Sequence, residues 1–198
     1  MDEIEMESAD DPIALFAAWM KAAEASELND ASATALATAT RDGMPSVRMV
    51  LMKGADERGF RFYTNVESQK GVELAENPRA SMCFHWKSLR RQVRISGGVS
   101  ELTAEEADDY FQNRPRLSQL AAVASQQSRI LAGREILEDR VKQLETVYPG
   151  KIPRPAYWRG YLLQPEQIEF WRSREGRMHD RILFSRSGTG WRKERLYP

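Results

Sequence analysis

The chain has 198 residues, of which 29 are basic, 29 are acidic, one is cysteine and two are histidine. A formal net charge of zero gives no overall field that attracts nucleic acid or anionic lipid, so neither is expected as a partner. The single cysteine excludes an intrachain disulfide, and no apolar run approaches the ~20 residues that a membrane helix needs. We therefore expect a cytoplasmic protein with a substantial core.

The first eleven residues hold six acidic side chains and no basic one. This composition predicts a solvated, poorly ordered tail over 1–11, followed by a single domain over 12–198. Asp11 and Pro12 predict the start of a helix, because an acidic N-cap and a proline in the first turn are both favourable there. Apolar residues at helical spacing extend this helix to about Ser26.

The stretch 46–71 is the densest in β-forming residues and cations. The apolar run 46–53 has Arg48 and Lys53 near its ends, and the chain returns as a second β-rich run over 60–65 after a glycine-containing loop. We predict that these two runs form a hairpin. Thr34 to Thr40 alternates like a half-buried strand, and Asp42-Gly43 predicts the tight turn into the following run.

The remainder of the chain alternates short strands with one helical block. Residues 68–77 predict a short helix, and 79–87 and 92–100 predict paired strands. Cys83 is expected to pack in the core. Three helices are predicted in an insertion at about 103–147, opened by the capping box that Thr103 begins. Four short strands are then predicted at 158–163, 167–172, 181–185 and 191–196. The pattern indicates a mainly β fold with peripheral helices, an antiparallel barrel without the βαβ order of nucleotide-binding folds.

Cations stand at the ends of several predicted elements, with hydroxyls and amides beside them. Arginine combined with serine, threonine and glutamine is a usual set for binding phosphate, and the chain has enough of these groups for two phosphates. The alternative for each cation is a solvated strand end or a surface salt bridge. A cluster at Lys87 to Arg94 is interpreted as a solvated hairpin end rather than a nucleic-acid site, and His85 as a packed histidine. No metal-binding spacing is present.

Several ordered motifs resemble the pyridoxine/pyridoxamine 5′-phosphate oxidase family over about residues 12–198. They are RMVLMK at 48–53, FYTN at 62–65, SxKG at 68–71, RQV at 91–93, YFxxRPRxSQ at 110–119, QS at 127–128, PxPxxWxGY at 153–161, QIEFW at 167–171 and RMHDR at 177–181. The resemblance implies a split antiparallel β-barrel of the FMN-binding type. It also implies a homodimer with FMN bound at the subunit interface.

The resemblance also assigns roles to residues of this chain. It implies that FMN is bound by Arg48, Met49, Val50, Leu51, Lys53, Tyr63, Thr64, Lys70, Gln92, Gln127, Ser128, Trp171 and Arg181. It implies that the substrate is bound by Lys53, Tyr110, Arg114, Ser118, Arg177 and His179, of which Arg177 and His179 are catalytic. The implied reaction oxidises pyridoxamine 5′-phosphate or pyridoxine 5′-phosphate to pyridoxal 5′-phosphate and passes the electrons through FMN to O₂, giving H₂O₂.

Two departures from the family pattern are visible. Gln69 stands where the family often has arginine, and the arginine-tyrosine segment that covers the substrate in some relatives is not recognisable in the acidic start. Two other functions stay open: a related flavin oxidase acting on a phenazine-type compound, and a non-enzymatic carrier of FMN or pyridoxal 5′-phosphate. The RPRxS feature at 114–118 and the RxH feature at 177–179, which suit a phosphorylated pyridine, favour that substrate over the phenazine.

Overall fold

The computed structural model describes residues 6–198. Its helices are α1 Pro12–Ser26, α2 Gln69–Glu76, α3 Ala104–Gln112, α4 Arg116–Ala124 and α5 Arg134–Val147. Its strands are β1 Ala33–Ala39, β2 Pro45–Leu51, β3 Gly54–Asp56, β4 Gly59–Asn65, β5 Arg79–Trp86, β6 Arg91–Glu101, β7 Trp158–Arg172, β8 Asp180–Ser187 and β9 Gly190–Arg195. Among the described residues, no helix is long and apolar enough to cross a membrane.

The strands form one antiparallel sheet in the order β2-β1-β5-β6-β7-β4-β3, with β8 on β7 and β9 on β8. Strands β2 and β3 lie at opposite ends of this order, yet only Met52 and Lys53 separate them in the chain. The sheet must therefore curl until its two ends meet, which produces the predicted barrel. Strand β7 belongs to two parts of the sheet, because its first half pairs with β4 and its second half pairs with β8.

The core fills the curl of the sheet and is closed at one side by α1. Phe16 of this helix contacts Phe60 and Phe84 edge-on at 4.9 and 5.2 Å between ring centroids, and Trp19 meets Phe170 at 5.1 Å. Such aromatic pairs bury large apolar areas in fixed orientations. A second, smaller cluster of Phe111, Leu120, Ile152 and Trp158 lies under α3 to α5.

Most of the predicted elements are confirmed, including α1, the β1–β2 hairpin around Gly43 and the Thr103–Glu106 capping box. The predicted hairpin between 46–53 and 60–65 is wrong. Strand β2 pairs with β1, while β4 pairs with β3 and β7. The chain leaves one end of the sheet at Met52 and enters the other, so the two runs belong to different hairpins.

Two predicted C-terminal strands, 158–163 and 167–172, are one continuous strand, β7. Pro165 does not break it, because it lies opposite Gly97 at an irregularity in the β6–β7 register. A Cβ atom at Gly97 would lie 2.0 Å from the carbonyl oxygen of Gln164, so only glycine permits this close approach. The prediction that Cys83 packs in the core is also wrong: it is half-buried on the opposite face of β5 from Met82 and Phe84.

The N-terminal segment differs from the predicted solvated tail where the structure describes it. Met6 and Ala9 are buried at 1% and 7% exposure and belong to the main core cluster. The ammonium of Lys193 on β9 donates to the carbonyl oxygens of Glu7 and Ala9 at 2.6 and 2.7 Å. Residues 1–5 of the predicted tail lie outside the described residues.

Candidate functional site

A cavity of about 830 Å³ opens between β2, β4, the start of α2 and the segments around α4. Its volume lies within the range of small-molecule and cofactor pockets. Thirteen of the predicted site residues line it: Arg48, Met49, Val50, Leu51, Lys53, Tyr63, Thr64, Lys70, Tyr110, Arg114, Ser118, Gln127 and Ser128. Residues distant in sequence therefore meet at one place, which neither their spacing nor their strand pattern could show.

The first part of the cavity wall is cationic. Arg48 projects from β2, and Lys70 lies in the first turn of α2, where its ammonium donates to the hydroxyls of Thr64 and Ser68 at 3.2 and 3.4 Å. Burial, followed by the nearby positive charge of Arg48, lowers the pKa of Lys70. The two cations on this wall repel each other, so the arrangement favours an anion between them.

Glu73 on α2 is the counter-ion of Arg48. Its carboxylate accepts hydrogen bonds from Thr38, from Ser46 at 2.6 Å, from Gln69 at 2.9 Å and from Arg48 at 3.3 Å. Burial alone would raise the pKa of Glu73, but the hydrogen bonds from these neighbours outweigh it and hold the pKa below its ordinary value. Glu73 therefore stays charged and fixes the side chain of Arg48.

The start of α2 is held against the cavity by close packing and by the loop that follows α4. A Cβ atom on Gly71 would lie 2.3 Å from the carbonyl oxygen of Val66, so the helix can approach this closely only with glycine. The backbone N–H of Gln69 donates to the hydroxyl of Ser128 at 3.2 Å, and the Thr64 hydroxyl bonds the Gln127 side chain at 3.2 Å. These bonds bring amide and hydroxyl groups beside the cations.

The second part of the wall is aromatic and contains a third cation. The rings of Tyr63 and Tyr110 stack at 4.0 Å, and Tyr63 stacks on Trp158 at 5.1 Å. The guanidinium of Arg114 lies 5.0 Å from the Trp158 ring centroid. Among the described residues, its Nη1 atom is the one buried side-chain nitrogen or oxygen without a hydrogen-bond partner. A buried guanidinium donor without an acceptor is costly, so this position favours an anionic ligand.

Five predicted site residues do not reach this cavity: Gln92, Trp171, Arg177, His179 and Arg181. They form a second group on β6, β7, β8 and the loop between the last two strands. Gln92 lies opposite Trp171, and Trp171 lies opposite Arg181. The rings of Trp171 and His179 are 4.6 Å apart. A single subunit therefore carries two separate groups of predicted site residues.

The second group is partly held by ion pairs and partly exposed. Glu169 accepts two hydrogen bonds from Arg181, at 3.0 and 3.1 Å. The guanidinium of Arg181 therefore already has an anionic partner within its own chain. Arg177 and His179 do not lie on a strand, because β8 begins only at Asp180 and a 3₁₀ turn occupies Glu175–Arg177. Arg177 is exposed and has a positive φ of 60°, a strained conformation for a residue with a Cβ atom.

Sequence reasoning missed two residues that organise the site. Glu73 is recognisable in sequence only as a polar residue four positions after Gln69 on a short helix, and its partners Thr38 and Ser46 are 35 and 27 residues away. Trp158 belongs to the PxPxxWxGY motif, but nothing in the motif shows that its ring lies beside Arg114 and Tyr63. Long-range packing determines both roles.

The chain matches two family models, described as pyridoxamine 5′-phosphate oxidase over residues 20–148 and pyridoxine 5′-phosphate oxidase C-terminal dimerisation region over residues 158–198. It is 58% identical to the pyridoxine/pyridoxamine 5′-phosphate oxidase of Gluconobacter oxydans, over 95% of this chain and 94% of that protein. It is 55% identical to the enzyme of the same name from Sinorhizobium fredii, over 96% of this chain and 94% of that protein.

Solved structures agree with these matches. PhzG from Burkholderia lata 383, in complex with tetrahydrophenazine-1-carboxylic acid, superposes with a TM-score of 0.92 at 34% identity, over 97% of this chain and 95% of that one. A pyridoxamine 5′-phosphate oxidase-related, FMN-binding protein from Nostoc punctiforme has a TM-score of 0.74 at 19% identity, over 96% of this chain and all of that one, and supports the fold alone. The chain belongs to the pyridoxamine 5′-phosphate oxidase family.

Proposed function

We propose that this protein is an FMN-dependent oxidase that converts pyridoxamine 5′-phosphate and pyridoxine 5′-phosphate to pyridoxal 5′-phosphate. The electrons pass to O₂, which leaves as H₂O₂. The observation that carries this proposal is the presence of two separate cationic positions in one cavity. Arg48 and Lys70 form the first, and Arg114, with its unpartnered buried Nη1 atom, forms the second. A phosphorylated cofactor and a phosphorylated substrate together require two such positions.

The first position fits the phosphate of FMN. Arg48 and Lys70 supply charge, and Gln127 and Ser128 supply neutral polar groups beside them. The exposed apolar side of β2, with Met49 at 65% and Leu51 at 37% exposure, offers an apolar surface for a flat ring system. When bound, FMN supplies the two-electron acceptor and the reaction with O₂. Gln69 donates to Glu73 rather than adding a third cation here.

The second position fits the substrate phosphate. Arg114 lies on the aromatic wall, with Lys53, Tyr110 and Ser118 around the same cavity. Burial lowers the pKa of Arg114, but an arginine remains protonated in any case, so its charge is available to bind a phosphate dianion. Binding the phosphate here would provide the acceptor that Nη1 lacks within the chain.

Dimerisation explains why the second group of residues lies away from the cavity. The C-terminal match, residues 158–198, is to a dimerisation region, and it contains Trp171, Arg177, His179 and Arg181. The protein forms a homodimer, and we infer that the second group of one subunit completes the cavity of the other. The exposed apolar residues Val47 and Met49, at 68% and 65%, lie on the edge strand β2 beside the cavity and would be covered in such an assembly.

In the completed site, Arg177 and His179 would contact the substrate ring and the carbon that is oxidised. Arg177 is exposed in the turn before β8, where its side chain is accessible to orient the substrate. The Nδ1 atom of His179 accepts a hydrogen bond from the backbone N–H of Arg174 at 3.1 Å. The neutral ring therefore carries its proton on Nε2, which makes His179 a donor to the amine or hydroxyl of the reacting carbon.

The structural similarity to PhzG favours a second candidate, oxidation of a phenazine-type compound. A substrate with a carboxylate in place of the phosphate would also pair with Arg114. A cytoplasmic location is proposed from the single cysteine, because a chain without disulfides suits a reducing compartment.

Steady-state H₂O₂ production distinguishes these candidates. Pyridoxamine 5′-phosphate should be oxidised with a kcat/KM about 100-fold above that of pyridoxamine, because the unphosphorylated compound forfeits two charge-assisted hydrogen bonds of about 1.5 kcal/mol each. Equal kcat/KM values for the two compounds would mean that the second position does not bind the substrate phosphate. Turnover of a dihydrophenazine carboxylate, with none of pyridoxamine 5′-phosphate, would favour the phenazine candidate.

A further inference from the structure

The loop between β7 and β8, residues 173–179, carries both Arg177 and His179, and most of it is exposed. Arg172 and Asp180, which flank the loop, are register partners at the start of the β7–β8 ladder. Inside the loop, Gly176 and Arg177 have φ values of 63° and 60°. An arginine keeps a left-handed backbone conformation only where the surrounding structure holds it. The contacts at the ends of this loop therefore help to determine the conformation of the loop.

The carboxylate of Asp180 joins three arginines around the loop. Its Oδ2 atom accepts from Nη2 of Arg172 at 3.1 Å and from Nε of Arg174 at 2.6 Å. Its Oδ1 atom accepts from Nη1 of Arg195 on β9 at 3.3 Å. The side chain of Asp180 is 18% exposed, whereas the side chains of its partners Arg174 and Arg195 are 51% and 56% exposed, so the carboxylate is more shielded from water than these two guanidinium groups. One carboxylate thus connects the residue before the loop, a residue inside it and a neighbouring strand.

Glu7 is a second anion in the same cluster. Its carboxylate pairs with Arg172 at 3.1 Å and with Arg195 at 3.7 Å. The N-terminal segment therefore shares two of the arginines that hold Asp180. Among residues 6–198, the Arg174 side chain pairs with Asp180 and not with Glu7, so Asp180 connects the cluster to the interior of the loop.

Arg174 has a second contact that reaches the functional histidine. Its backbone N–H donates to Nδ1 of His179 at 3.1 Å, and Trp171 lies against the same ring at 4.6 Å. The side chain of Arg174 is held by Asp180, so the position of its backbone N–H depends on that carboxylate. Because Nδ1 is an acceptor, the neutral imidazole must carry its proton on Nε2.

We propose that Asp180 is a positioning residue that fixes the tautomer of His179 through Arg174. By holding the Arg174 side chain, Asp180 keeps the backbone N–H of that residue on Nδ1 and the ring proton on Nε2. The importance of this for catalysis rests on the proposed function, in which Nε2–H contacts the substrate. The tautomer itself is a property of the protein and can be measured without substrate.

The test uses long-range ¹H–¹⁵N spectra of the imidazole rings in the FMN-loaded protein. The chain has two histidines, so loss of signals in His179→Asn assigns the remaining set to His85. Wild type should show His179 as the Nε2–H tautomer. Asp180→Asn should raise the ratio of Nδ1–H to Nε2–H by about 2- to 10-fold, the effect of losing one ordinary hydrogen bond, and Asp180→Glu should restore most of the wild-type ratio.

Asp108→Asn is the matched control, because Asp108 also pairs with an arginine, Arg154, but lies on α3. It should leave the His179 spectrum unchanged. Arg174→Gln removes the same connection from the other side and should reproduce the shift, which keeps the test available if Asp180→Asn fails to fold. An unchanged tautomer in both variants, or an Nδ1–H ring in wild type, would overturn the proposal. Failure of wild type to oxidise pyridoxamine 5′-phosphate would instead overturn the proposed function and leave the tautomer result standing.

Discussion

Replacing Glu73 with glutamine tests the electrostatic arrangement at the cationic part of the cavity. Glu73 is 3% exposed and accepts from four side chains, including Arg48. The amide keeps the shape of the carboxylate but removes its charge and turns one acceptor into a donor. Hydrogen bonds to charged groups contribute about 1.5–3 kcal/mol. The side chain of Arg48 is 20% exposed and can replace part of this stabilisation with hydrogen bonds to water. We therefore expect Glu73→Gln to lower the free energy of unfolding of the FMN-free protein by about 2 kcal/mol.

The loss should be smaller when FMN is bound. A phosphate dianion between Arg48 and Lys70 would replace the missing carboxylate as the counter-charge of Arg48. With FMN bound, we expect Glu73→Gln to lower the free energy of unfolding by about 1 kcal/mol less than it does without FMN. By the thermodynamic cycle, the folded variant then binds FMN about fivefold more tightly than wild type does. Urea unfolding of the FMN-free and FMN-loaded proteins, at one protein concentration, measures both free energies. The corresponding decrease in Tm of the FMN-free protein is about 4–8 °C.

Glu76→Gln is the control for this variant, since Glu76 lies on the same helix and is exposed. It should change stability by no more than about 0.5 kcal/mol. The role assigned to Glu73 is refuted if Glu73→Gln is as stable as this control. It is also refuted if the variant loses more stability with FMN than without it, because Glu73 would then support FMN binding rather than substitute for its phosphate.

Three further predictions concern the predicted site residues. Arg114→Met keeps the apolar stem beside Trp158 but removes the charge. KM for pyridoxamine 5′-phosphate should therefore rise about 10- to 100-fold, while the Kd of FMN stays constant. A change in FMN binding alone would contradict the assignment of Arg114 to the substrate phosphate. Burial, followed by the positive charge of Arg48, lowers the pKa of Lys70, so its ammonium loses its proton at a lower pH than an ordinary lysine does. The affinity for FMN, measured as a function of pH, should therefore weaken as the pH rises through that lowered pKa. Lys70→Met should abolish this pH dependence. Arg177→Ala should lower the rate of flavin reduction by substrate more than it lowers FMN retention, and equal losses would remove Arg177 from the catalytic group.

Local sequence signals predicted the individual elements well. The N-cap at Asp11 and the capping box at Thr103 each depend on residues within three positions, and the structure contains both. Pairing is different, because an alternating strand pattern says which residues share a face but not which strand lies beside it. The predicted partner of the run 46–53 was therefore wrong, although its strand character was right.

The kinds of residue that line the cavity were predictable from the sequence, but their arrangement was not. Cations beside hydroxyls and amides indicated phosphate binding, and the family motifs indicated which phosphates. Glu73 could not be recognised because its partners Thr38 and Ser46 come from β1 and β2, and Cys83 was misplaced because one residue of register decides which face of β5 it occupies. The separation of Arg177 and His179 from the cavity follows from the full strand order, which no local pattern contains.

The proposed function requires that the cavity binds FMN and that pyridoxamine 5′-phosphate reduces it. The most direct measurement is the visible absorption spectrum of the purified, FMN-loaded protein during anaerobic addition of pyridoxamine 5′-phosphate. We expect the flavin absorption to bleach and to return when air is admitted, with pyridoxal 5′-phosphate formed in proportion. A flavin that binds but stays oxidised after this addition would rule out the proposed oxidase function.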